Sequence, residues 1–229
     1  MAAADPRLIV ALDHADSRQA RQLVERLGDR VSFYKVGLTL LSSDGVALSR
    51  ELRAAGKQVF QDWKLHDIGA QVEGAARQIA AGGCDFLTVH AEPQVMDAAV
   101  RGRSAGLKVL AVTILTSLSG EDLREIGYAA SVQDLVERRV RQARQAGCDG
   151  VIASPREAAL ARQIGGKDFL VVTPGVRPGG VGHDDQVRVA SPAAALRAGA
   201  SHLVVGRPVT AASDPAAAVE AILEEIASV

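Results

Sequence analysis

The 229 residues carry 26 basic and 27 acidic side chains, a net charge of −1, with 48% apolar residues, 3% aromatic residues and 22 glycines. A chain of this size buries a substantial core as one domain, while its balanced charge excludes a general basic field for nucleic acid or anionic membrane, so any anion must be met locally. The start, MAAADPRLIVALD, lacks a basic segment followed by a long apolar one, and no apolar run approaches the roughly 18 to 20 residues of a membrane span, which makes the cytoplasm the expected location.

Apolar, β-branched runs recur along the chain: LIVALD (8–13), SFYKVG (32–37), QVFQDWK (58–64), FLTVHA (86–91), KVLAVTIL (108–115), GVIAS (150–154), FLVVTPG (169–175) and HLVVGR (202–207). Their near-continuous hydrophobicity suits strands covered on both faces, as in a parallel sheet. Between them lie stretches of helical period and composition, including SRQARQLVERLG, GVALSRELRAAG, SVQDLVERRVRQARQAG and SPAAALRAGA. Several end at glycine, the residue that most easily takes the positive φ that stops a helix. The phrases AAGGCDFLTVH, RQAGCDGVIAS and LRAGASHLVVG resemble one another and read as echoes of one joint. In the first two, Cys84 and Cys148 are expected as small buried residues in a reducing compartment, not as a disulfide.

Eight strand-and-helix units in one chain predict a compact (β/α)8 barrel over residues 1–229, with no linker to split it. The rival is an open doubly wound sheet. Its usual mark is missing, since the first turn reads ALDHADSR and holds no G-x-G-x-x-G. GGK at 165–167 likewise lacks the earlier glycine and the Ser or Thr of a P-loop.

In such a barrel function gathers at the C-terminal ends of strands. Those ends supply Asp13, Lys35, Asp62 with Lys64 and Asp67, His90, Thr116 with Ser117, Ser154, the 174–186 loop, and Gly206 with Arg207. Period-two alternation puts Asp62 and Lys64 on one side, toward the barrel mouth if Phe60 precedes them there, and Trp63 in the helix layer. Alternating carboxylates and ammoniums stabilise each other's charged forms. A structural ion-pair network at the rim is the plainer alternative. A second feature argues against it: TPGVRPGGVGHDDQ from 173 and VVGRP at 204–208 fall where these barrels bind phosphate, with Arg207 as a planar fork and Gly206 allowing close backbone approach. The histidines 14, 66, 90, 183 and 202 have no close metal-ligand spacing, and no metal is expected.

The segments ALD (11–13), YKVG (34–37), D-x-K-x-x-D-I (Asp62, Lys64, Asp67, Ile68), LTS (115–117), TPGVRP (173–178), DDQ (184–186) and VVGRP (204–208) together resemble the orotidine 5′-monophosphate decarboxylase family over nearly the whole length. The resemblance implies a homodimer of barrels with two active sites at the subunit interface, a small-molecule substrate, and no cofactor or metal. It implies that Lys64 donates the proton, that Lys35, Asp62 and Asp67 complete the charged array, and that Asp67 enters the partner's site. It places Asp13 and Lys35 at the ribose, Thr116 and Ser119 at the pyrimidine, and Arg177, Gln186, Gly206 and Arg207 at the phosphate. Many members read D-I-P-N-T-V after the array; here DIGAQV puts Gln71 where the family's Thr reaches the substrate from the partner. The nearest rival within such barrels, the 3-keto-gulonate 6-phosphate decarboxylase and hexulose-phosphate synthase group, works through Mg2+ and calls for an acidic ligand at the position of Lys35. A non-catalytic nucleotide-phosphate binder, of a different class, would keep Arg207 and tolerate loss of Lys64.

Overall fold

The computed structural model describes residues 4–104, 106–178 and 190–229. Its first half runs β1 (Leu8–Leu12), α1 (Ser17–Leu27), β2 (Phe33–Val36), α2 (Leu38–Leu41), α3 (Gly45–Ala54), β3 (Gln58–Leu65), α4 (Gly69–Ala81), β4 (Phe86–His90) and α5 (Pro93–Gly102). The second half continues with β5 (Lys108–Val112), α6 (Gly120–Glu125), α7 (Val132–Gln145), β6 (Gly150–Ile152), α8 (Ala158–Gly165), β7 (Leu170–Thr173), α9 (Pro192–Arg197), β8 (His202–Val205), α10 (Arg207–Thr210) and α11 (Pro215–Ala227). All eight predicted strands form. They pair in parallel in sequence order, and β8 returns to β1, closing the ring that linear order alone left open. The expected helix stops also appear, with Gly28, Gly56, Gly147 and Gly199 all at positive φ.

Alternation along each strand divides the core in two. Val10, Tyr34, Leu87, Val109, Val151, Val171 and Leu203 face the helices, while Ile9, Phe33, Phe60, Phe86, Leu110, Ile152, Val172 and Val204 fill the barrel. Inside, Phe33 and Phe86 meet edge to face at 4.9 Å, and the His202 ring lies 5.1 Å from Phe86. These rings plug the N-terminal end. The barrel therefore has a solid floor, and only its C-terminal end is available to a ligand.

The repeated joint has a physical cause. Asp85 Oδ2 accepts from Val59 N at 2.8 Å, Asp149 Oδ2 from Val109 N at 2.9 Å, and Ser201 Oγ from Val171 N at 2.9 Å. In each echo the same position precedes an even-numbered strand and caps the start of the strand before it. Cys84 and Cys148 are buried and free, and burial pushes both thiols up to about 12.

Candidate active site

At the C-terminal mouth a cavity of about 500 Å³ opens over the apolar floor, a volume suited to a small ligand. Its lining includes Asp13, Lys35, Asp62, Lys64, Thr116, Arg177, Gly206 and Arg207, which brings eight of the sequence-predicted residues into one space. The residues arrive from different directions. Asp13, Lys35, Asp62 and Lys64 come from β1, β2 and β3, whereas Pro174 to Arg177 follow β7 and the Gly206–Arg207 pair opens α10 after β8. Because β3 and β7 stand four strands apart in the ring, the charged array and the 174–177 segment face each other across the mouth.

The array is continuous. Lys35 Nζ donates to Asp13 Oδ1 at 2.8 Å and lies 3.4 Å from Asp62 Oδ2; Lys64 Nζ donates to Asp62 Oδ1 at 2.8 Å. Charges thus alternate from Asp13 through Lys35 and Asp62 to Lys64. Burial alone pulls the Lys35 ammonium down, but Asp62 and Asp13 outweigh it and leave the group above its ordinary value. Burial raises the Asp62 carboxyl, and the ammoniums of Lys35 and Lys64 with two hydrogen bonds overcome that, holding it below the usual carboxylate range. Both groups stay charged in a site where they are nearly covered.

The route by which Lys64 reaches the cavity differs from a regular strand. Gln61 pairs with Leu87 and Leu65 with Val89, so Asp62, Trp63 and Lys64 bulge out opposite the single residue Thr88. Among the described residues Lys64 alone has positive φ without being glycine, at 47°. That conformation costs an L-residue about 1–2 kcal/mol, so its neighbours must hold it. Trp63 does pack toward the helices, as alternation requires.

Thr88 was not singled out in the sequence, although a signal existed: in FLTVH the period that sends Phe86 inward sends Thr88 inward too. Gly37 is a second such residue. A Cβ there would sit 2.7 Å from Asp13 Oδ1 and 3.2 Å from Lys35 Nζ, so glycine leaves room for that ion pair.

Three expected residues lie apart from the cavity, and one is outside view. Asp67 and Gln71 border a separate shallow concavity with Trp63, His66 and Val72, which Lys64 also touches. Asp67 is exposed and accepts from Ile68 N at 2.7 Å. Ser119 caps α6: its hydroxyl accepts from Asp122 N at 3.2 Å and donates to Asp122 Oδ2 at 2.6 Å, an exchange legible in the spacing of Ser119 and Asp122. Gln186 lies outside the described residues. His66 stacks on His90 at 4.7 Å and approaches Glu92 at 3.7 Å. No group of three or more His, Cys, Asp or Glu side chains among the described residues could hold a metal ion.

Comparison with known proteins extends over the same span as this barrel. The family described as orotidine 5′-phosphate decarboxylase / HUMPS matches residues 6–222. The chain is 63% identical over 225 residues to a protein of Caulobacter sp. (strain K31) named orotidine 5′-phosphate decarboxylase, covering 98% of each chain. It is 53% identical to the protein of that name from Rhodopseudomonas palustris (strain BisA53), covering 96% of this chain and 94% of the other. The crystal structure of orotidine 5′-phosphate decarboxylase from Lactobacillus acidophilus superposes with a TM-score of 0.85 at 39% identity, covering 97% of this chain and 99% of that one. A match spanning the barrel from its first strand into its last helix, with relatives above 60% identity, makes the chain a member of the orotidine 5′-phosphate decarboxylase / HUMPS family.

Proposed function

We propose that this protein decarboxylates orotidine 5′-monophosphate to uridine 5′-monophosphate and CO2 in pyrimidine nucleotide synthesis, with Lys64 protonating C6. The observation that carries this reading is the unbroken Asp13, Lys35, Asp62, Lys64 chain facing the 174–177 segment and Arg207 across one cavity. The substrate phosphate binds toward Arg177, Gly206, Arg207 and Gln186, the ribose at Asp13 and Lys35, and the pyrimidine near Thr116 and Ser119.

Breaking the bond from C6 to the carboxylate carbon leaves its electron pair on C6 as CO2 departs. The ring does not delocalise that vinyl carbanion as an enolate, so a fixed positive charge must meet it. The Lys64 ammonium, held by Asp62, supplies the charge as it develops and then transfers one N–H proton to C6. The neutral amine regains its proton from solvent. Asp62 holds the Lys64 ammonium in place and also crowds the substrate carboxylate. Grip on the distant phosphate provides binding energy for holding the reacting end in place.

The chemistry requires no cofactor or metal in this reading. A divalent cation at the array would face the buried Lys35 ammonium, which disfavours the Mg2+-dependent alternative. We further propose that the enzyme is a cytoplasmic homodimer acting on a small molecule, and not on nucleic acid or membrane. Asp67 completes the partner's site, and the Gln71 amide replaces the usual threonine there. Among the described residues no helix is long and apolar enough to cross a membrane. The test is decarboxylation of orotidine 5′-monophosphate by the purified protein in EDTA, followed by absorbance. The expected result is full conversion to uridine 5′-monophosphate; no change at saturating substrate refutes the reading.

A further inference from the structure

We infer that Thr88 is a positioning residue for Lys64, holding the lysine at its backbone and at its ammonium through one carboxylate oxygen. The inference rests on the function proposed above. Thr88 is fully buried on β4 and does not line the cavity, so it reaches the reaction only through other groups.

Its hydroxyl has one donor and can accept, and both capacities are used in fixed directions. It donates to Asp62 Oδ1 at 2.8 Å and accepts from Lys64 N at 3.0 Å. Asp62 Oδ1 also accepts from Lys64 Nζ at 2.8 Å. The contacts form a closed loop: from the Lys64 amide to the Thr88 hydroxyl, on to the Asp62 carboxylate, and back to the Lys64 ammonium.

Each link compensates for a local liability. The bulge removes the Lys64 amide from the regular β3–β4 ladder, and Thr88 supplies its acceptor. The left-handed backbone at Lys64, φ 47°, is disfavoured for a residue with a side chain, and the same hydrogen bond pins it. Asp62 must present one oxygen to Lys64 and the other to Lys35, and the Thr88 hydroxyl fixes that rotation of the carboxylate. A lysine has a long flexible stem, so an anchor at its tip alone leaves the stem free to swing. Thr88 fastens the other end.

Valine matches threonine in shape but makes neither bond, whereas serine keeps the hydroxyl and loses only the methyl. The experiment compares wild type, Thr88→Val and Thr88→Ser for kcat and KM with orotidine 5′-monophosphate, and for affinity toward uridine 5′-monophosphate. Misplacing a reacting group lowers kcat of Thr88→Val by about 10- to 100-fold, with KM and product affinity within about threefold of wild type. Thr88→Ser recovers kcat to within about fivefold. The inference is overturned if Thr88→Val keeps kcat within about twofold, if Thr88→Ser is as slow as Thr88→Val, or if product affinity falls as far as kcat. Should circular dichroism show that Thr88→Val does not fold, Thr88→Ala against Thr88→Ser makes the same comparison, and equal kcat in those two overturns the inference. An inactive wild type would instead sink the proposed function itself, so the two failures are told apart.

Discussion

Replacing Lys35 by methionine removes the central ammonium of the array while keeping much of the stem's volume. Lys35 Nζ lies 3.4 Å from Asp62 Oδ2, a separation worth about 5 kcal/mol at an effective dielectric of about 20, before desolvation is subtracted. The shorter contact with Asp13 adds little, because the Asp13 side chain is 55% exposed and screened by water. In the variant Asp62 keeps Lys64 and Thr88 on Oδ1, but Oδ2 loses its ammonium where the side chain is only 13% exposed. Breaking a buried pair in this way costs about 3–5 kcal/mol, and packing of the methionine offsets part of it, so a loss of about 2–4 kcal/mol is expected near neutral pH.

The dependence on pH has a definite sign. Despite burial, wild-type Asp62 is held below its ordinary 3.8 by Lys35 and Lys64, so its contribution is present above that value and lost as pH falls through the folded value. Without Lys35 the Asp62 carboxyl moves upward, and protonation relieves the variant first. The stability gap is therefore full at neutral pH and narrows as the solution is acidified. Urea unfolding of both proteins from neutral pH to the acid limit of folding measures it. Equal stability at neutral pH, or a gap that does not change with pH, refutes this account of the array.

Other expectations follow from particular contacts. Gly37→Ala pushes a Cβ against Asp13 Oδ1 and Lys35 Nζ and forces that ion pair to shift; KM should rise about tenfold, and an unchanged KM refutes the ribose role of Asp13. Burial beside Phe33 and Phe86 pushes His202 from 6.5 down to about 4, so the unfolded chain binds the extra proton between those values. Stability should fall by about 3 kcal/mol as pH drops across that window, and His202→Gln should flatten the urea-unfolding profile; an unaltered slope refutes it. Lys64→Ala and Asp67→Ala chains should each be inactive alone and regain part of the activity when mixed. Failure of mixed dimers to do so argues against a shared site.

Much of the architecture is legible in residue patterns because its causes are local. Doubly covered strands need unbroken apolar runs, glycines at positive φ stop helices, and the Cys-Asp joint recurs because its aspartate caps the start of the preceding strand, β3 in one case and β5 in the other. The strand-end charges stand out for the same reason: Asp13, Lys35, Asp62 and Lys64 interrupt segments that are otherwise apolar. The capping role of Ser119 is equally local, since its spacing from Asp122 is that of a capping box.

What local pattern does not contain is lateral pairing. Alternation alone brings Asp62 and Lys64 to one side, yet the bulge that sets the Lys64 backbone arises from how β3 pairs with β4, residues more than twenty positions away. Thr88 becomes meaningful only when that pairing lays its hydroxyl between the lysine amide and the aspartate. The separation of Asp67 and Gln71 from the cavity likewise depends on the turn out of β3 into α4. The order of strands and helices, and which residues carry the charges, follow from local pattern. Barrel closure and strand register decided which of those charges share a carboxylate oxygen, because a hydrogen bond depends on the positions of two segments at once, and each strand carries only its own.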